Sequence, residues 1–314
     1  MANRPADNRA GAVVTRLTGA DLIAGLPGLA ETGVDLDVRD ARAVPSANLT
    51  VADIVGLVAD ASAAISAGAD GVVVTQGTDT VEETAFLADL IWPHQEPIVF
   101  TGAMRNPTLA GPDGPANVLA AIQTAASVDA RDLGAVLAFS DQIHAARWIR
   151  KTHATSTGTF ASPNAGPIGL VVEGRVRILT RPLRFQPLAI GATDARVGLY
   201  TATLDDDTGL LRTLAADCQG LVIAGYGVGH VPSAMAPVLE EIAASMPVVL
   251  VSRTGAGPVL HHTYGAVGSE TDLQRRGLIN GGLLDAYKAR ILLKLLLGNG
   301  AGHAVIAAEF ARRG

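Results

Sequence analysis

Residues 71–92 read GVVVTQGTDTVEETAFLADLIW, and the fold turns on how this stretch is parsed. A short β-branched run, GVVV (71–74), has the continuous apolar character of strands buried in parallel sheets. The polar segment TQGTDT (75–80) comes next, and TVEETAFLADLIW (80–92) then carries apolar residues at helical spacing. Thr80 and Glu83 stand three apart, the pattern of a capping box at a helix start.

The same alternation extends in both directions. LTVADIVGLVADASAAISAGAD (49–70) reads as a helix opened by Thr50 and Asp53, again a capping box. PIVFTGA (97–103) and LGAVLAFSD (133–141) read as strands, and Pro115 opens a helix over 115–127 as an N1 proline would. Strands are expected near 197–202, 220–224 and 247–251, and helices near 206–216, 233–245 and 284–297. Such alternation predicts a parallel sheet with helices on both faces. The rhythm breaks over 142–195, where GLVVEGRVRIL (169–179) reads as a hairpin. The expected organisation is α/β: a larger N-terminal doubly wound sheet domain (1–183), a linker (184–195) and a smaller C-terminal α/β domain (196–314).

The 314 residues suffice for one large or two ordinary domains. Aromatics are only 4%, so Ala, Val and Leu must fill the interior. A net charge of −6 without a basic block argues against a nucleic-acid or anionic-membrane partner. No apolar run approaches a membrane span, and the N-terminus lacks a signal-peptide core. With Met1 taken as the start, the expectation is a cytoplasmic protein. The single cysteine, Cys218, rules out an internal disulfide and reads as a packed thiol.

Ligands in open α/β sheets collect at the carboxyl ends of strands. Three polar stretches fall there: TQGTDT (75–80), TGAMRNPTLAGPDG (101–114) and SDQIH (140–144). Thr78 and Asp79 lie between a strand end and a helix start, where backbone N–H groups can hold an anion or a developing oxyanion. A helix cap explains one polar residue there, but five stand together. A threonine hydroxyl needs a base to become useful in catalysis. Lys151, in the irregular segment WIRKTHATS (148–156), is the nearest source, and it also reads as a solvated loop lysine. GYGVGH (225–230) has some likeness to a dinucleotide loop but lacks its spacing and its acidic residue. His261 and His262 are adjacent with no carboxylate pair nearby, a poor metal site. No cofactor and no metal are expected.

The chain from about residue 12 onward resembles the bacterial-type L-asparaginases and glutaminase-asparaginases. VVVTQGTDTVEETAFLADL (72–90) is similar to that family's second signature motif. PIVFTGAMRNPTLAGPDGPANVLAAI (97–122), RAVPSANLT (42–50), RKTHATSTGTFASPNAGPIG (150–169), VVLVSRTGAGPV (248–259) and LDAYKARILLKLLL (284–297) resemble further family segments. The resemblance implies a Thr78–Lys151–Asp79 catalytic set. It also implies that Ser46 holds the substrate α-carboxylate, Asp79 the α-ammonium and the backbone at Ala103 the side-chain amide. Gly77, inside the motif, joins Ser46, Thr78, Asp79 and Ala103 among the substrate-binding positions. A homodimer or homotetramer with sites between subunits is implied, acting on an amino-acid amide.

The departures from the family pattern are specific. Members open with a strand ending in Thr-Gly-Gly-Thr-Ile, whose first threonine attacks the substrate, and no such stretch occurs in the 314 residues. MANRPADNRAGAVVTRLTGADL (1–22) resembles the segment immediately C-terminal to that motif. The expectation is a start codon lying upstream, with a natural, catalytically crippled chain as the alternative. Lacking that strand, the polypeptide is expected to leave neighbouring strand edges open and to be poorly stable. The first tyrosine is Tyr200, so the tyrosine that the family's lid often supplies has no counterpart. Where members often carry Asn, His230 aligns; near an acidic position stand Tyr264 and, further on, Glu270. The leading expectation is hydrolysis of L-asparagine, or of L-glutamine, to the acid and ammonia through a threonine acyl-enzyme. A non-catalytic aspartate- or asparagine-binding protein is the alternative. A subunit of a tRNA-dependent amidotransferase is disfavoured by the acidic chain and by the absence of the additional N-terminal domain usual in that type.

Overall fold

Short apolar runs become strands and the amphipathic stretches between them become helices, grouped into two units, Met1–Leu188 and Ala189–Gly314. The computed structural model describes residues 18–314 together with the backbone of 3–5 and 13–15. The expected tie between residues 1–22 and the family's opening segment lies largely outside the described residues.

In the first unit, β1 (Asn3–Pro5) pairs antiparallel with β2 (Val13–Thr15). Then come α1 (Gly19–Ile23), α2 (Leu29–Thr32), α3 (Val51–Ser66), β3 (Val72–Thr75), α4 (Val81–Ile91), β4 (Ile98–Thr101), α5 (Gly114–Ala126), β5 (Ala135–Phe139) and β6 (Gln142–Ala145). β7 (Arg150–Lys151) and β8 (Phe160–Ala161) form a small ladder, and β9 (Gly169–Val172) and β10 (Arg175–Ile178) a hairpin. The main sheet has six strands in the order β10-β9-β6-β5-β4-β3. β3, β4 and β5 are parallel, as the alternation predicts. From β5 outward the sheet is antiparallel, so it is mixed rather than parallel throughout. The reason is local. Ser140 and Asp141 both have positive φ (53° and 60°), the geometry of a two-residue hairpin turn that sends the chain straight back. SDQIH is therefore a hairpin turn and the start of β6, not a ligand-facing strand end.

α5 packs Ala120, Ala121 and Ala125 against Val99 of β4 and Val136 and Ala138 of β5. α3 starts at the reciprocal Thr50–Asp53 capping box read from sequence. The corresponding Thr80–Glu83 box does not form, because the Thr80 side chain caps nothing in α4. Its hydroxyl instead donates to the Ser46 carbonyl at 3.0 Å. Pro115 falls one residue later than expected, since α5 begins at Gly114.

The second unit holds β11 (Val197–Thr201), α6 (Gly209–Ala216), β12 (Gly220–Gly225), α7 (Met235–Ala243), β13 (Val248–Ser252), α8 (Glu270–Arg275), β14 (Ile279–Asn280), α9 (Ala286–Gly298) and α10 (His303–Arg313). Its four strands are all parallel, in chain order. One core joins Leu211, Leu221, Ile223, Leu239 and Leu250, with Cys218 packed against it. α9 lies against the same strands, its Leu293 and Leu297 reaching Gly220, where a Cβ would meet Leu297 Cδ1 at 2.9 Å.

Candidate active site

The parallel strands β3 and β4 end side by side, so the loops at their carboxyl ends are neighbours. Gln76 N–H donates to Thr101 O (3.0 Å), extending the pairing past the strand ends. The buried Gln76 side chain then accepts from Thr84 Oγ1 (2.9 Å) and donates to Thr80 Oγ1 (3.2 Å), tying the turn to α4. With both ends fixed, Thr78 and Asp79 project from the tip between β3 and α4.

Lys151 meets them there. Its Nζ donates to Thr78 Oγ1 and to Asp79 Oδ1, each at 3.0 Å, across more than seventy residues of chain. The Lys151 side chain is only 17% exposed and that of Asp79 is 69% exposed. The cation is sheltered while the carboxylate opens outward to anything that arrives. Lys151 is placed by its backbone: its N–H donates to Glu82 Oε2 (3.1 Å) in the first turn of α4. Thr78 Oγ1 in turn donates to Met104 Sδ at 3.3 Å. Since Lys151 supplies the proton on one side, the hydroxyl's own proton points to a thioether, a weak acceptor.

Ser46 is buried in a single 3₁₀ turn, Ser46–Asn48. A Cβ at position 77 would lie 2.8 Å from Ser46 Oγ, so glycine is what lets this hydroxyl approach the turn. Ala103 comes after Gly102 in the loop beyond β4, one residue before Met104. A Cβ at Gly102 would lie 2.4 Å from the Gln76 carbonyl oxygen, so that loop too needs glycine to come this close. Every residue nominated from sequence (Ser46, Gly77, Thr78, Asp79, Ala103 and Lys151) thus stands at the carboxyl ends of β3 and β4 or contacts a residue there.

Sequence reasoning singled out neither Glu82 nor Asn117, and it took in Met104 and Asp113 only as part of the polar stretch 101–114. Glu82 stands in the first turn, where an acid reads simply as favourable to the helix dipole. Asp113 and Asn117 carried no signal, because their partners are mostly backbone groups.

In the second unit, His230 Nε2 pairs with Glu270 Oε2 at 3.1 Å, and Tyr264 packs edge-on to the His230 ring at 4.9 Å. Burial pushes the Glu270 carboxyl up. The backbone N–H groups of Tyr264 and Thr263, together with His230, outweigh it and hold the group below its ordinary value. GYGVGH forms a tight turn bridged from Tyr226 to His230, with α7 starting only at Met235. The rings of His261 and His262 lie 5.7 Å apart. Among the described residues no group of three or more His, Cys, Asp or Glu is placed to hold a metal, and no helix is long and apolar enough to cross a membrane.

Residues 3–184 match the family model described as Asparaginase, N-terminal, and residues 196–310 match the Glutaminase/Asparaginase C-terminal domain. An L-asparaginase of Bacillus licheniformis is 31% identical over 268 residues, 85% of this chain and 83% of that protein. A protein named "Probable L-asparaginase" from Deinococcus radiodurans is 36% identical over 295 residues, 91% of this chain and 88% of its own. The crystal structure of a "Probable Cytoplasmic L-asparaginase" from Campylobacter jejuni matches with a TM-score of 0.83 and 28% identity, covering 92% of each chain.

Proposed function

The chain belongs to the asparaginase family and is an asparaginase-type amidohydrolase; from that premise we propose that it converts L-asparagine, with L-glutamine as the second candidate, to the acid and ammonia. The observation that carries the reading is the Lys151 ammonium standing 3.0 Å from both Thr78 Oγ1 and Asp79 Oδ1.

The roles come from the chemistry of each group. Asp79 offers an open, acceptor-only carboxylate to the substrate α-ammonium. Ser46, facing the same turn across Gly77, donates to the α-carboxylate. The side-chain amide then lies toward Ala103, and the developing oxyanion meets backbone N–H groups near the positive end of α4. Lys151 holds a proton at Thr78 Oγ1. The relay works from the neutral amine of Lys151: Thr78 Oγ1 takes the proton of an attacking hydroxyl while its own proton, re-aimed from Met104 Sδ, passes to Lys151 Nζ, and the reverse transfer protonates the departing nitrogen. In the acyl-enzyme route a threonine oxygen bonds the amide carbon, the C–N bond breaks with loss of ammonia, and water then cleaves the ester. The family's resemblance gives that attack to a first-motif threonine with no counterpart in residues 1–314. Thr78, Asp79 and Lys151 supply the proton-handling and substrate-gripping half.

We extend the proposal to a cytoplasmic homodimer or homotetramer, in which His230, Tyr264 and Glu270 of one copy face the site of another. Light scattering on the purified protein tests the assembly. A second reading is a protein of the same fold that binds aspartate or asparagine without turning it over. Ammonia release separates the two when measured alongside calorimetry with L-aspartate, on residues 1–314 and on the reading frame continued upstream. Release abolished by Lys151→Met supports hydrolysis, whereas binding with no release from any amide supports the second reading.

A further inference from the structure

Asp113 is the N-cap residue of α5, yet its carboxylate accepts no backbone N–H from that helix. It reaches back along the chain instead. Its oxygens accept Met104 N–H (3.1 and 3.0 Å), Arg105 N–H (2.8 Å) and Asn117 Nδ2 (3.2 Å). Asn117, 2% exposed, also donates to Gly102 O (2.9 Å), and its Oδ1 accepts Ser140 N–H (2.9 Å). The loop is therefore gripped at the carbonyl of 102 and the amides of 104 and 105. Ala103, between them, has no hydrogen bond from its own N–H or C=O among the described residues. Ala103 is half-buried, so its peptide is left to solvent and open to a ligand while both neighbours are clamped. The same clamp fixes Met104, whose Sδ receives the Thr78 proton.

We propose that Asp113 and Asn117 are positioning residues that hold the open Ala103 peptide and Met104 Sδ in register with Thr78. The inference rests on the amidohydrolase reading. Asp113 gives up a helix cap to do this, a use of the side chain that a purely local role in α5 does not explain. An acceptor displaced by about 1 Å at such a site lowers turnover by about 100-fold while leaving a distant grip intact. The substrate's α-groups are held by Ser46 and Asp79, which Asp113 does not touch.

The test compares Asp113→Ala and Asp113→Asn with the unsubstituted protein by ammonia release, L-aspartate calorimetry, thermal melting and methyl NMR of [13C-methyl]methionine protein. The chain has four methionines, and Met104→Leu assigns the resonance. Asp113→Ala is expected to melt cooperatively, to keep its L-aspartate Kd within about 3-fold and to lose about 10- to 100-fold in kcat. Its Met104 methyl shifts or broadens while that of the fully buried Met235 stays put. Asp113→Asn keeps an acceptor oxygen and restores part of both signals. An Asp113→Ala kcat within 2-fold of the unsubstituted protein, or a loss matched by an equal loss of folded protein, overturns the inference. Should the unsubstituted protein release no ammonia, the methyl spectrum alone decides: an unmoved Met104 methyl refutes the clamp, and a displaced one upholds it whatever becomes of the amidohydrolase reading.

Discussion

At the scale of residues, the site centres on a lysine whose position is fixed at both ends, by Glu82 at its amide and by Thr78 and Asp79 at its ammonium. With Asp79 largely exposed, this ion pair adds at most about 1 kcal/mol to stability, and the proposed mechanism assigns its worth to proton handling. Lys151→Met is accordingly expected to lower kcat by about 100- to 10,000-fold with a melting temperature within about 2 °C of the parent, as steady-state ammonia assays and calorimetric scans will show. An equally large fall in stability would mean that the lysine is structural. Thr78, Asp79 and Lys151 are legible in the sequence because TQGTDT crowds polar residues at a strand end, and because the family resemblance picks one lysine out of an irregular segment. The groups around them are not. Thr80 reads as half of a capping box, but Gln76 and Ser46 compete for its hydroxyl and win. Asp113 grips backbone nine residues earlier, and such a bond leaves no periodic trace in a sequence.

At the scale of elements, β3, α4, β4 and α5 are readable from apolar period and, for α5, from the proline in its first turn, whereas the direction of β6 is not. That direction depends on Ser140 and Asp141 both adopting positive φ, which few L-residues favour and which an Asn-Gly pair would have announced. The Glu173-Gly174 turn between β9 and β10 has the same geometry, and there the glycine makes the hairpin visible. β6 also carries a pH-sensitive group. His144 is buried, with Nδ1 paired to Ser162 Oγ and Nε2 to Gln142 Oε1, both at 3.0 Å, and burial lowers its pKa from 6.5 to about 4. Between those values the unfolded chain holds the extra proton, so this group's contribution to stability is present above pH 6.5 and is lost as pH falls toward 4. The full loss is about 3 kcal/mol. Urea unfolding measured from pH 7 to pH 4.5 is expected to show the midpoint falling, with a shallower slope in His144→Gln. A slope unchanged by that substitution would assign the acid sensitivity elsewhere.

At the scale of the whole molecule, the second unit has a parallel sheet and a core of its own, and Ala189–Gly314 expressed alone is expected to melt cooperatively in a calorimetric scan. A featureless scan would show that it folds only within the longer chain. In the first unit, among the described residues, β3 has a strand on one side only, β4, and its C-terminal end leads into the proposed site. The most direct measurement is ammonia release from L-asparagine by the purified protein, assayed on residues 1–314 and on the reading frame continued upstream, with Lys151→Met as its control. Steady release that the substitution removes is the expected result. No release from asparagine, glutamine or related amides, by a folded protein that still binds L-aspartate, would contradict an amidohydrolase built on Thr78, Asp79 and Lys151.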